Sequence, residues 1–172
     1  MIHCDVKTCV GCRMCEVICG SAHFGAVSPV LSRIRVAKLE ETGLDLAVAC
    51  LSCLERPCLD CPRGALSMGR RGEIRLDAQS CDACGVCVEA CPIGAVGFYD
   101  DRPLFCDLCD GAVSCVSVCP SGALSYREDY KEVSLQAVLR FSGNSGERRA
   151  HFARVQGKPL REIWRTGGRV DS

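Results

Sequence analysis

The sequence predicts an α+β chain of short helices and β-hairpins, held together by something other than a large apolar core. Three observations carry this. Cysteine fills 17 of the 172 positions. A cysteine-rich phrase recurs four times, and three copies close on a shared Cys-Pro-x-Gly-Ala ending. The stretches between phrases alternate apolar and polar residues on either side of tight turns.

The core is the first thing the composition limits. The apolar share of 48% counts the cysteines; without them about 38% remains, with 5 Phe, 3 Tyr and 1 Trp. Such a chain needs disulfides or metal to supplement burial. The N-terminus MIHCDVKTCVGCRMC shows no basic start followed by an apolar run, and no twin arginine, so a cytoplasmic location is expected. No stretch approaches a membrane span. In a reducing compartment clustered cysteines bind metal rather than pair as disulfides, and an odd cysteine count points the same way. The formal net charge is zero. The basic C-terminal residues carry no aromatic or helix-turn-helix pattern, so no nucleic-acid partner is expected.

The cysteines fall into four groups: Cys9, Cys12, Cys15, Cys19; Cys50, Cys53, Cys58, Cys61; Cys81, Cys84, Cys87, Cys91; and Cys106, Cys109, Cys115, Cys119. Only Cys4 stands apart, in the expected strand IHCDV, where it reads as a buried free thiol. Hairpins are expected at 33 to 49 (RIRVAKL, EETG, LDLAVA), at 65 to 76 (ALSM, GRRG, EIRL) and at 95 to 105 (AVGFY, Asp100-Asp101, RPLF). Each proline after a fourth cysteine should stop a short helix, and the Gly two residues later permits a tight exit into a strand. Beyond 127 the cysteine rhythm stops. EDYKEVSLQAVLRF places Val133, Ala137, Val138 and Phe141 on one face of an expected helix, ended by GNSG; Phe152, Leu160, Ile163 and Trp164 follow among basic residues. This tail either packs on its own domain or serves as a docking arm.

The chemistry follows from the spacing in CDACGVCVEACP, residues 81 to 92. Three cysteines two residues apart curl round one face of a compact metal cofactor. Cys87 and Cys91 are one helical turn apart, so the fourth thiolate is carried towards a second site. This run, closing on proline, is the iron–sulfur arrangement in which the last cysteine serves the neighbouring cluster. Small residues between the ligands, such as Gly11, Ala83, Gly85 and Ala112, let backbone N–H groups approach the sulfurs. Zinc ribbons instead separate CxxC pairs by a dozen or more residues. Group two closes one residue early, as CLDCP, making Cys58 and Cys61 i and i+3. His3, His23 and His151 are scattered, with packing or surface roles expected. No catalytic triad, phosphate-binding glycine loop or flavin fingerprint is present.

These motifs resemble the ferredoxin-type subunits with four [4Fe-4S] clusters that serve molybdenum and tungsten oxidoreductases. The run CVGCRMCEVICGSAHFG followed by SPVLSRIRV is most similar to the small iron–sulfur subunit of tungsten-dependent aldehyde oxidoreductases. The resemblance implies two nested bacterial-ferredoxin-like dicluster modules within residues 1–127: an outer module of about 1–30 and 100–127, an inner one of about 48–99, and the hairpin 33–49. Residues 128–172 are expected as a separate C-terminal helix and docking tail. It also implies the ligand sets. Cys9, Cys12, Cys15 and Cys119 hold cluster 1; Cys106, Cys109, Cys115 and Cys19 hold cluster 2; Cys50, Cys53, Cys58 and Cys91 hold cluster 3; Cys81, Cys84, Cys87 and Cys61 hold cluster 4.

The implied partner is a catalytic oxidoreductase subunit of the tungsten- or molybdenum-pterin class, with further copies of the chain or a flavin subunit as other partners. The function expected is non-catalytic electron transfer. The alternative is an iron–sulfur sensor or assembly protein, which complete ligation and the lack of an output module disfavour. Four oxidised clusters would move the net charge from zero to about −8, which favours docking on a basic surface.

Overall fold

A computed structural model describes residues 1–127 and 135–166. Helices and four small antiparallel sheets alternate along the chain, an α+β arrangement. The alternating segments fold as the sequence reads. Strand β2 (Arg35–Leu39) pairs with β3 (Leu44–Val48), β4 (Leu66–Met68) with β5 (Ile74–Leu76), and β6 (Gly97–Tyr99) with β7 (Arg102–Leu104). The last hairpin turns on Asp100 and Asp101, both at positive φ (49° and 55°). Paired positive φ values match the twist of the flanking strands, and Asp tolerates them. The fourth sheet is long-range: β1 (Ile2–Cys4) pairs with β8 (Leu124–Tyr126), and the Met1 amino group donates to the Arg127 carbonyl at 2.9 Å.

The β2–β3 hairpin is buried on both faces. On one side Leu39, Leu44, Leu46 and Val48 meet Ile93, Val96 and Phe105; on the other, Val36 and Ala47 meet Ile2, Ile34 and Leu124. Residues one apart on a strand point to opposite faces, so apolar residues at successive positions, Val36 with Ala37 and Leu46 through Val48, are what a wall between two cores requires. Cys91 belongs to the first core, and Cys15, Cys19 and Cys115 to the second. Sulfur therefore stands in for missing aliphatic packing. Each large side chain buried here contributes roughly 1.5–3 kcal/mol.

Helix lengths depart from the expected single turns. Helix α1 (Met14–Phe24) runs three turns, whereas α2 (Val86–Ala90) and α3 (Ser114–Ser117) are short. In the second group Pro57–Leu59 forms a 3-10 turn that ends before Cys61, so Cys58 and Cys61 do not share a helix face.

The expected helix at 128 to 141 is corrected over residues 135–141, the part that is described. Val133 lies outside the described residues. Ala137 and Val138 lie in a run of turns and Phe141 just beyond it, with Val138 N–H bonded to the Leu135 carbonyl at 2.9 Å. GNSG does not end a helix but opens one. Asn144 caps α4 (Ser145–Gln156), its side chain accepting from Glu147 N–H at 3.0 Å while Glu147 accepts from Asn144 N–H at 2.8 Å. That reciprocal pair is a capping box. Helix α4 lies across β2 and β3, and α5 (Lys158–Thr166) follows it. Phe152, Ala153 and Leu160 enter the first core, and Arg154 pairs with Glu41 at 2.7 Å.

Candidate metal centres

A backbone pattern repeats at all four cysteine groups. Two residues after each first cysteine the chain is left-handed, at Gly11, Ser52, Ala83 and Leu108. It is left-handed again two residues before each third cysteine, at Arg13, Arg56, Gly85 and Val113. A left-handed residue other than Gly costs roughly 1–2 kcal/mol, and a β-branched one such as Val113 is a true outlier. Strain repeated in register at four places needs a common purpose. Successive N–H groups in such turns form concave nests for anions, iron–sulfur centres included. The sulfurs receive these donors: Gly11 N–H bonds Cys9, Ser52 N–H bonds Cys50 and Leu108 N–H bonds Cys106. Ala112, expected as a spacer of this kind, is right-handed; Leu108 and Val113 take the strained places.

The turns gather cysteines from distant parts of the chain. Cys9, Cys12 and Cys15 line one cavity with Cys119. Cys106, Cys109 and Cys115 line a second with Cys19. Cys81, Cys84 and Cys87 line a third with Cys61. In the fourth group Cys58 lies within electrostatic reach of Cys50, Cys91 and Cys53. Each set joins three cysteines of one phrase to the last cysteine of another.

Their titration fits a site built for a cation-containing group. Burial first, then the charge of neighbouring thiols, pushes Cys58 and Cys115 up to about 12. Cys15 also rises to about 12, through burial and then Glu16 and Cys115. Burial drives Cys50 and Cys87 up to about 11, and Cys106 upward as well. Four thiolates packed together repel and are poorly solvated; iron replacing their protons relieves both costs. The donor set, the spacing and the N–H nests all fit [4Fe-4S] ligation.

Cys4 is half-buried beside this machinery. Its thiol hydrogen-bonds Cys9, raising its own pKa and holding that of Cys9 down at about 6. Its Sγ also accepts from Ala47 N–H at 3.4 Å.

The Cys19 sulfur has a denser surround than the sequence suggests. Arg33 N–H donates to it at 3.3 Å. His23 Nδ1 lies 2.8 Å from the Cys19 carbonyl and 3.8 Å from its Sγ, while Nε2 meets Asp107 at 3.0 Å. Asp107 also binds the Arg33 guanidinium and accepts from Cys109 N–H at 3.0 Å. Against the cost of its burial, these bonds hold Asp107 below the usual carboxylate range. His23 is thus a residue of the site, and its i+4 spacing from Cys19 on α1 was the available signal. His151 packs instead, stacked on Phe141 at 4.2 Å, and His3 sits in β1.

Residues 74–96 match the model of the 4Fe-4S binding domain. The chain is 42% identical over 86 residues to the aliphatic sulfonate oxidoreductase polyferredoxin-like subunit of Pyrococcus furiosus, covering 49% of each. It is 38% identical over 116 residues to the putative electron transport protein YsaA of Escherichia coli, covering 60% of this chain and 72% of that one. Against the formate dehydrogenase iron–sulfur subunit of Wolinella succinogenes it is 36% identical over 102 residues, covering 56% and 50%. The match thus spans about half the length of the first and third of these relatives. Among solved structures, the active site complex BamBC of benzoyl coenzyme A reductase is 32% identical over 73% of this chain and 74% of that one, with a TM-score of 0.44. With its cysteine phrases and these relatives, the chain belongs to the ferredoxin-type 4Fe-4S electron-transport proteins.

Proposed function

We propose that the chain is a non-catalytic subunit relaying single electrons through four [4Fe-4S] clusters, between a catalytic oxidoreductase subunit and another carrier or subunit. When bound, each cluster supplies a centre that takes up and gives back one electron. What supports the reading is that three cavities are each lined by three cysteines of one phrase and the last cysteine of another, and that Cys58 lies within electrostatic reach of Cys50, Cys53 and Cys91. The proposed ligand sets are those given above, with Cys19 and Cys119 exchanged between the first and fourth phrases and Cys61 and Cys91 between the second and third. Two nested dicluster modules follow, with the β2–β3 hairpin between them.

The chain's own part is to hold and tune. Thiolates grip iron, and left-handed turns aim N–H groups at sulfur. Relatives named as subunits of sulfonate oxidoreductase and formate dehydrogenase support a catalytic partner for this chain; we assign a tungsten- or molybdenum-pterin enzyme as that partner. Among the described residues no helix is long and apolar enough to cross a membrane.

Iron and sulfide analysis with EPR on anaerobically purified protein tests this. About 16 irons per chain and signals on dithionite reduction are expected. Iron for fewer than three clusters, or no signal, refutes the proposal.

A further inference from the structure

The C-terminal helix reaches back to the segment that carries Cys91. Arg148, half-buried on α4, donates through Nη1 to the carbonyls of Val88 and Cys91, each at 3.4 Å, and to that of Glu89. The Val88 carbonyl already accepts from Cys91 N–H at 3.4 Å and the Cys91 carbonyl from Gly94 N–H, so the guanidinium adds a second donor at the C-terminal end of α2, where a cation is favoured. Arg149, its neighbour, donates to the Gly94 carbonyl at 2.6 Å. Gly94 lies in the turn after Cys91, held by Gly94 N–H to the Cys91 carbonyl at 3.1 Å. That turn delivers Ala95 N–H to the Cys91 sulfur at 3.2 Å. Two guanidinium groups from residues more than fifty positions away therefore clasp one sulfur-bearing turn. Arg149 is also within electrostatic reach of Cys91 itself, with Arg35 and the buried Glu16 as its other charged neighbours.

We propose that Arg148 and Arg149 are positioning residues that raise the reduction potential of the cluster held by Cys50, Cys53, Cys58 and Cys91. The inference rests on the four-cluster reading. Reduction adds one negative charge to the cluster, so a fixed cation beside a ligand stabilises the reduced form more than the oxidised one. Removing the cation shifts the potential downward. The Arg149 contact to the turn after Cys91 has no counterpart from α4 at the other three sites among the described residues, which makes its effect local to one cluster.

The test is an EPR-monitored redox titration of the full chain, purified anaerobically, with iron and sulfide measured on each sample. The cluster concerned is identified as the one whose signal changes in Cys91→Ser. At a fixed poise near its midpoint, Arg149→Gln should lower its reduced-to-oxidised ratio about threefold to tenfold, with the other three unmoved. Arg149→Lys keeps the charge and should stay within about twofold of the parent. A full iron content with no shift in Arg149→Gln overturns the proposal. Equal shifts in the Gln and Lys variants overturn it too, because turn geometry rather than charge would then be the cause. Should Arg149→Gln lose iron, Arg148→Gln, which leaves the Gly94 contact intact, decides: a downward shift supports the proposal and an unmoved potential overturns it. A parent protein without its iron overturns the four-cluster reading and this inference with it.

Discussion

Cys4 and Cys9 are paired thiols that move each other in opposite directions, Cys4 upward and Cys9 down to about 6. The asymmetry has a source. Burial raises both thiols and Ala47 N–H serves both, but Cys9 alone also receives Gly11 N–H, which stabilises its thiolate. A charged sulfur is a metal ligand and a protonated one is not. Cys4→Ala should therefore retain its iron, while Cys9→Ala should lose about four irons. Colorimetric iron analysis of the two variants reads this directly. Equal losses would make Cys4 a ligand.

The raised thiols set the direction of the pH response. Cys15, Cys58 and Cys115 titrate near 12, above the 9.0 of a free thiol. A group whose folded pKa is raised contributes stability below the unfolded value and loses it as pH rises through the folded one. The packed metal-free chain should accordingly weaken between pH 9 and about 12. The loaded chain runs the other way, because protons compete with iron for each sulfur. Iron release to a chelator should accelerate as pH falls from 7 towards 5 and should not accelerate between 7 and 9. Faster release on the alkaline side of neutrality would contradict thiolate ligation.

Two glycines of the shared Cys-Pro-x-Gly ending behave differently. Gly94 and Gly122 both have φ near +60°, so alanine costs roughly 1 kcal/mol at either. A methyl at Gly122 meets nothing within 4 Å, whereas one at Gly94 runs into the Ser145 carbonyl oxygen at the start of α4. Gly94→Ala should lower the melting temperature by several degrees more than Gly122→Ala, and should loosen the Cys91 turn. Anaerobic thermal melts of the two variants make the comparison. Equal melting temperatures would mean that α4 does not press on this turn.

The hairpins were legible because strand alternation is local: RIRVAKL and LDLAVA need only each other. The cysteine groups were legible for the same reason, since each phrase is a contiguous spacing. What joins them is not local. Nothing in the chain around Cys119 says that it will share a cavity with Cys9, and the pairing entered through resemblance rather than spacing. Nor does propensity place Leu108, Arg56 and Val113 in left-handed turns. Bonds from N–H to sulfur and the crowding of thiols outweigh a local preference of about a kcal/mol. The tail was misread where a turn signal has two meanings. Gly and Asn in GNSG suit a helix end, but Asn144 with Glu147 three residues on is the signature of a start.

The tail gives the last prediction, because two of its large aromatics have opposite surroundings. Phe152 is buried among Leu44, Leu135 and Val138, while Trp164 on α5 is 50% exposed. Truncating a buried Phe costs roughly 3–5 kcal/mol, the larger part of it from the cavity left behind. A half-exposed Trp has little packing to lose. Phe152→Ala should therefore destabilise the chain strongly and, by loosening α4, reduce its iron content. Trp164→Ala should leave melting temperature and iron almost unchanged. Anaerobic melts and iron analysis on both decide the point. If Trp164→Ala proves as damaging as Phe152→Ala, α5 packs on the domain along its whole length. If it is silent in the isolated chain but weakens co-purification of a catalytic subunit, the exposed end of α5 is where that subunit rests.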